Sequence, residues 1–467
     1  MKTTSGFAAL LLGVASLPSL AFAQEQEGSV TLFEGDGFTI KAGMDIGLQI
    51  VLENQAFWNL GESVGPDDYN SSPTWGETYA KPFLTFSGTV DSMDAYGKLS
   101  AVGVLNIGTD VYAIEDAKKI VLEDAYIGLK NDSMDLSFGS QSYQLGTGML
   151  IADGGGDGFE RGALIFGPRR AWEMTAIGRL TTGKTKVEAF YLDPRELKSS
   201  DTNTKLAGLG AVHEFEPGRT LGIGGGTVLT SEQIWVQAAP GGSGPPEFIE
   251  NGRDGMNFLT AWGSWALNEQ FSLAADFAWQ NSSVQDMQAW GARVQLTYSF
   301  PDAPWQPRIG YTFQTFSGDD PDTPELERFD PLFYDGSPAA WGSGSNASLV
   351  FLNTNVNAHQ IWVAATITPR DFVTARYFHV RANELLSPLQ FGQGTRLDPN
   401  GSPTLISGVV DAHLSDDLYF EYTRVVTDNT FLTSGLGISV PGAGIREQIG
   451  GERNVWTGAY VNVVMKF

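Results

Sequence analysis

The sequence predicts an all-β protein, a transmembrane antiparallel β-barrel of about eighteen strands with short periplasmic turns and long extracellular loops. Three observations carry this expectation. The segment Asn454 to Phe467 places Val455, Thr457, Ala459, Val461, Val463, Met465 and Phe467 on one face of an extended chain and Trp456, Gly458, Tyr460, Asn462 and Lys466 on the other, with Val464 the apolar exception. One face suits lipid, the other water, and the closing aromatic Phe467 is the usual ending of a bacterial outer-membrane barrel. Segments with the same period-two pattern recur along the chain, and no segment beyond the N-terminus is a continuous apolar run long enough for a spanning helix. The composition agrees, with 12% aromatic residues, 56 glycines and no cysteine, which leaves out a disulfide framework, thiol catalysis and thiolate metal sites.

Taken in order, residues 1–23 read as an export signal. Lys2 supplies the positive start, Ala8 to Leu17 the apolar stretch, and Ala21-Phe22-Ala23 the small-x-small cleavage site. A single barrel domain is expected over 24–467. The first strand runs from Phe38 to Val51, where Phe38, Ile40, Ala42, Met44, Ile46, Leu48 and Ile50 alternate with polar or small residues; at helical spacing they would scatter. Further strands are expected near 78–90, 95–106, 120–130, 133–142, 171–180, 184–192, 204–214, 219–229, 256–266, 270–280, 288–300, 306–316, 358–368, 372–381, 404–414, 418–426 and 454–467. Glycines 222 to 226 blur the alternation in one of them. Short connections (91–94, 131–132, 182–183, 268–269, 301–304, 369–371 and Ser415-Asp416-Asp417) alternate with long ones near 52–77, 143–170, 230–255, 317–357, 382–403 and 427–453. That parity puts short turns on the periplasmic rim. Aromatics on the lipid parity, among them Trp172, Trp265, Phe271, Trp279, Trp290, Tyr298, Tyr311 and Tyr377, fit interfacial belts.

A barrel of this kind would sit in the outer membrane of a Gram-negative bacterium, against lipid bilayer and lipopolysaccharide, and its last strand would engage the barrel-assembly machinery. The net charge of −25 argues against nucleic acid. Inward positions carry the chemistry of a pore, and the candidate pore-lining residues are Lys41, Asp45, Lys98, Arg179, Arg293, Arg308, Arg376, Asp411, Glu421 and Lys466. Fixed charges of both signs with a slight basic surplus point to polar or mildly anionic solutes; alternatively, opposite charges pair across neighbouring strands and only keep the lumen wet. The loop 143–170, rich in Gly and Arg, could fold inward and narrow the pore. The acidic stretch 319–330 lacks the ordered spacing of a calcium loop. His213, His359, His379 and His413 are scattered without a metal spacing, so no metal, cofactor or catalytic residue is expected. Asp411 and His413, sharing a face of one predicted strand, are the best pair an enzymatic alternative could use, and no nucleophile accompanies them. A third alternative is a surface-binding role for the acidic loops.

Several segments resemble the alginate-export family of outer-membrane barrels. Leu122 to Leu129 resembles its acidic-Ala-Tyr strand. Leu136 to Gln141 followed by Leu145-Gly146-Thr147-Gly148 resembles its Gly-Arg-Gln strand and glycine-rich loop. Phe329-Asp330-Pro331-Leu332-Phe333 resembles its late loop signature, and Leu414 to Tyr422 its penultimate hairpin. The resemblance implies a monomeric eighteen-stranded barrel that passes polysaccharide or other polar solutes. Ser140 stands where the family often has Arg, the wall is mixed in sign, and the turn Ser415-Asp416-Asp417 is too short for a periplasmic gate. The expectation is therefore a porin for polar small solutes or oligosaccharides, with alginate-type export as the alternative.

Overall fold

The computed structural model of the chain describes residues 28–59, 69–111, 115–155, 163, 166–196, 198, 201–242, 246–334, 351, 353–389, 408–448 and 450–467. The expected export signal lies outside them. The strands are β1 (Val30–Gly35), β2 (Phe38–Asn54), β3 (Thr74–Val90), β4 (Met93–Ile107), β5 (Lys118–Lys130), β6 (Met134–Ser140), β7 (Met174–Thr182), β8 (Thr185–Asp193), β9 (Lys205–Glu216), β10 (Arg219–Thr230), β11 (Trp235–Gln237), β12 (Glu247–Ile249), β13 (Asn257–Ala266), β14 (Phe271–Ser282), β15 (Met287–Ser299), β16 (Arg308–Phe316), β17 (Val356–Thr368), β18 (Asp371–Ala382), β19 (His413–Thr427), β20 (Thr430–Pro441) and β21 (Trp456–Lys466). A one-turn helix α1 (Ala443–Gln448) follows β20.

Among the described residues, eighteen of these strands form a closed antiparallel ring in chain order, β2 through β10 and β13 through β21. The ring shuts where β2 pairs with β21, from Asp45↔Lys466 to Asn54↔Thr457, and Phe467 exchanges two backbone hydrogen bonds of 2.9 Å with Met44. Closure leaves the eighteen ring strands no open edge, the condition for a sheet to stand in hydrocarbon. β1 takes the stretch of β2 that β21 does not reach, pairing Val30↔Ala42 through Gly35↔Phe38. Its hairpin turns on Asp36-Gly37, both at positive φ (51° and 74°), a sequence signal for a tight two-residue turn. β11 and β12 form a separate small hairpin in the loop after β10.

The alternation predicted from the sequence appears directly as exposure. In β2, Leu48, Ile50 and Leu52 face outward while Gln49 and Val51 are buried, and in β14 Phe277 and Trp279 face outward while Asp276, Ala278 and Gln280 are buried. Two expectations need correction. The strand expected over 404–414 is not found in its described part: 408–412 are irregular and His413 opens β19, while 404–407 lie outside the described residues. Ser415-Asp416-Asp417 is therefore inside β19, and the true turn is Asp428-Asn429. The compensating strand is β20, read from sequence as part of a long loop. Its inward residues Thr433, Gly435, Gly437 and Ser439 are small, so its composition resembles a loop. The space over Gly435 is filled by Tyr460 and Tyr419, whose atoms would lie 2.5 and 2.8 Å from an added Cβ. One strand lost and one gained left the count of the ring unchanged. Trp172 is also reassigned: it is fully buried on the inside, where its Nε1–H donates to the Tyr143 carbonyl at 3.0 Å, rather than facing lipid.

Candidate functional site

The interior of the ring divides into two levels. Near the long loops, inward side chains such as Val51, Trp75, Phe190, Leu206, Phe258 and Phe316 are buried in one apolar cluster with Trp58, Leu145, Met149, Ile151, Phe329, Phe351 and Leu389, which come from loops. The loops therefore fold into the barrel mouth. Near the short turns, particularly along β2 to β8, inward side chains such as Lys41, Asp45, Lys81, Lys98, Arg179 and Glu188 retain contact with water.

The loop after β6 crosses the interior. Leu145 reaches the inner wall over Gly210 and Gly224, whose Cβ atoms, if present, would lie 2.8 and 3.0 Å from its methyl group. Gly146, at φ 57°, packs beside Trp262 of β13, and the Thr147 hydroxyl donates to Asp276 of β14. The glycines that blurred the pattern of β10 are thus the clearance for an inward loop. The sequence left open whether this loop narrows the pore; residues 143–155 do reach across it, and 156–162 lie outside the described residues.

The loop after β16 meets it from the other side. Ile151 and Phe333 form a parallel bridge, with the Ala152 and Asp153 N–H groups donating to the Phe333 carbonyl at 2.8 and 3.0 Å. The motif Phe329 to Phe333 is the anchor. Phe329 packs on Phe316 at 5.4 Å between ring centroids, and Phe333 on Trp172 at 5.3 Å. The buried Asp330 carboxylate accepts from Arg253 Nε at 2.6 Å and Nη2 at 2.8 Å, while the Asp330 backbone exchanges hydrogen bonds of 2.6 and 2.9 Å with the Gln280 amide. Burial alone would lower the Arg253 pKa, but the Asp330 carboxylate holds it above its ordinary value. Deeper in the same loop, Arg328 stacks 4.1 Å from the Trp235 ring and donates to the Val236 carbonyl; burial pushes its pKa down to about 10. Asp319 accepts the Ala238 and Glu327 N–H groups at 2.6 and 2.8 Å, one on each oxygen, and burial still raises its pKa. The acidic stretch 319–330 is thus partly a set of buried loop anchors and not only a solvated surface.

Each residue singled out from the sequence can now be placed. Lys41, Asp45, Lys98, Arg179, Arg293, Arg308, Arg376, Glu421 and Lys466 fall on the inward parity of their strands. Asp411 does not: it is exposed in the irregular segment before β19, where its Oδ1 accepts the His413 N–H at 2.9 Å. Several of the inward charges are paired. Lys98 lies 3.8 Å from Asp124, and Arg179 lies 3.6 Å from Asp135 and 3.3 Å from Glu188. Arg293 Nε donates to Asp276 at 2.7 Å, and Arg376 is buried over the Tyr419 ring at 5.5 Å. Glu421 accepts the Tyr419 hydroxyl at 2.9 Å and the Tyr460 hydroxyl at 3.3 Å. Glu123 was missed. A register shift between Leu99 and Ala101 of β4 sets two residues of β5, Glu123 and Asp124, against one, so both acids turn inward. Glu123 holds Arg169 at 3.1 Å and accepts the Arg170 and Ala171 N–H groups at 2.8 and 3.0 Å, fixing the return of the inward loop to β7. The consecutive acidic residues in Leu122-Glu123-Asp124-Ala125 were the available signal.

Comparison with known proteins places this geometry. Residues 253–381 match the model of the family described as Alginate export, a segment that contains β13 to β17, most of β18 and the Phe329–Phe333 anchor. No curated protein matches the chain in sequence. Among solved structures, Pseudomonas aeruginosa OpdQ is similar with a TM-score of 0.51 and 12% identity, covering 92% of this chain and 98% of that one. Pseudomonas aeruginosa OccK11 (OpdR) gives 0.54, 11%, 91% and 96%, and Acinetobacter baumannii OccAB2 gives 0.53, 10%, 91% and 97%. At such identities the likeness is one of fold, and the fold is that of the outer-membrane porins of Gram-negative bacteria. With the family match, it bears out the resemblance to alginate-export barrels of porin-like architecture.

Proposed function

We propose that the protein is a passive outer-membrane channel for small polar solutes, with anionic and saccharide solutes the favoured class. The observation that carries this reading is the two-level interior: a water-accessible wall of mixed charge on β2 to β8, beneath a mouth narrowed by loops anchored to the wall. Lys41, Lys98 and Arg179, with Asp45 and Glu421, are the wall groups assigned to the solute path; Lys466 is on the inward parity of β21 but buried. Arg293 and Arg376, buried against Asp276 and Tyr419, support the wall from within it. Transport in this reading is diffusion, with no covalent step. Alginate-type export is the second reading, favoured by the family match over 253–381. Single-channel recording in planar bilayers decides between them. The porin reading expects a steady conductance, brief interruptions by monomeric uronates and sugars, and a reversal potential set by wall charge. The export reading expects prolonged occlusion by long oligouronates and little response to monomers. A barrel with no conductance overturns both.

A further inference from the structure

Three of the chain's four histidines gather at one place on the outer surface of the barrel. In the register of the sheet, His359 of β17 faces His379 of β18, which faces Asp416 of β19, and His413 is the first residue of β19. His359, His379 and Asp416 lie on the outward parity shared by Tyr377 and Leu418, and the register shift between Val380 and Arg381 sets His413 opposite the outward Arg381; all lie within a few residues of the long-loop ends of their strands. Asp416 is the centre. His379 Nδ1 stands 2.8 Å from its Oδ1 and His413 Nε2 stands 3.0 Å from its Oδ2, and the two imidazoles stack at 4.8 Å between centroids. The Tyr377 hydroxyl donates to Asp416 Oδ1 at 2.7 Å.

We propose that His379, His413 and Asp416 form a binding site for a borderline transition-metal dication, Zn²⁺, Ni²⁺ or Cu²⁺, on the outward face of β18 and β19. One ligand atom from each residue falls within 4.8 Å of the others. Ligands about 2.0–2.1 Å from a tetrahedral ion are about 3.3 Å apart, so the present spacings need only small side-chain adjustments. Two imidazoles and one carboxylate suit these ions, whereas Mg²⁺ and Ca²⁺ require shells of oxygen. The three side chains are each about one-third exposed, at 32%, 30% and 33%, so an ion has access and a water molecule can complete its shell. The ion takes the ring nitrogens that now face Asp416 and leaves the Tyr377 hydroxyl in place as a donor that orients the carboxylate. The ion would fasten the first residue of β19, where the chain returns from the 383–412 connection, to the neighbouring strand.

The test uses untagged, detergent-purified full-length protein titrated calorimetrically with ZnCl₂, with heat-modifiable electrophoretic mobility reporting that each variant is a folded barrel. Saturable uptake of one Zn²⁺ per chain is expected, lost in His379→Ala and His413→Ala and unchanged in His213→Ala, since His213 packs edge-on against Phe215 elsewhere. Tyr377→Phe removes only the orienting donor and should weaken binding about tenfold. Asp416→Asn serves where a histidine variant does not assemble. Excess Mg²⁺ should not compete. Undiminished uptake by a folded His379→Ala/His413→Ala protein, or no saturable uptake by the wild type at millimolar Zn²⁺, overturns the proposal.

Discussion

Asp330→Ala should release the inward loop after β16 from the barrel wall. The Asp330 carboxylate is 1% exposed and takes two hydrogen bonds from Arg253, itself 9% exposed. Removing one member of a buried ion pair costs about 3–5 kcal/mol, because the other is left charged and dry. The neutral anchors nearby, Gln280 to the Asp330 backbone and Thr354 to the Phe329 carbonyl, contribute about 0.5–1.5 kcal/mol each. The ion pair therefore outweighs either neutral anchor of this loop. Its loss shifts the docked-to-undocked ratio by about two to four powers of ten. The consequence should be read in two ways. Single-channel records of Asp330→Ala should show raised conductance or frequent transitions between levels, and limited proteolysis of the protein in lipid should cut within 317–355 at protease concentrations that spare the wild type. Arg253→Met should do the same, and the double variant should cost less than the sum of the two, with a coupling of about 1–3 kcal/mol. If Asp330→Ala gives wild-type conductance, noise and protease resistance, the loop is not held by this pair and the account of the mouth is wrong.

Three further outcomes are expected. Asp319→Asn should loosen the same loop by about 1–3 kcal/mol, since an amide has one acceptor oxygen for the two N–H groups of Ala238 and Glu327; hydrogen exchange at those two amides would report it. Gly224→Val should push Leu145 off the inner wall at a cost of about 1–3 kcal/mol and alter conductance, while the equally sized change Gly183→Val, at a turn with open space around it, should leave conductance unchanged even if its positive φ costs stability. Lys41→Glu with Lys98→Glu should move the reversal potential in a salt gradient toward cation preference, whereas Arg376→Glu should reduce the yield of folded barrel, because that position is buried against Tyr419. An unchanged reversal potential in the first variant would remove those lysines from the solute path.

The barrel was legible because lipid outside and a polar interior impose a period of two that the side chains must obey, and β2, β14 and β21 show it without ambiguity. Where both faces relax that demand, the reading failed. β20 has small inward residues because Tyr419 and Tyr460 fill its space, so it looked like a loop. The segment 404–414 was read as a strand from its alternation, whereas 408–412 are irregular and β19 begins only at His413. The wall charges could be assigned to the inward parity, but their partners could not: Lys98 with Asp124 and Arg293 with Asp276 meet through strand register, which one chain's pattern does not state. Glu123 was hidden for the same reason, since a bulge changes the face a residue takes.

By itself, the sequence determined the class of the fold, the closure through the last strand and the parity of most inward charges, all consequences of local alternation against two solvents. Tertiary structure alone decided that two loops meet inside the mouth, that Asp330 and Arg253 fasten one of them, and that His379, His413 and Asp416 become neighbours. Those contacts join residues far apart in the chain, and their distances are set by register and loop packing, quantities that no local pattern of side chains encodes.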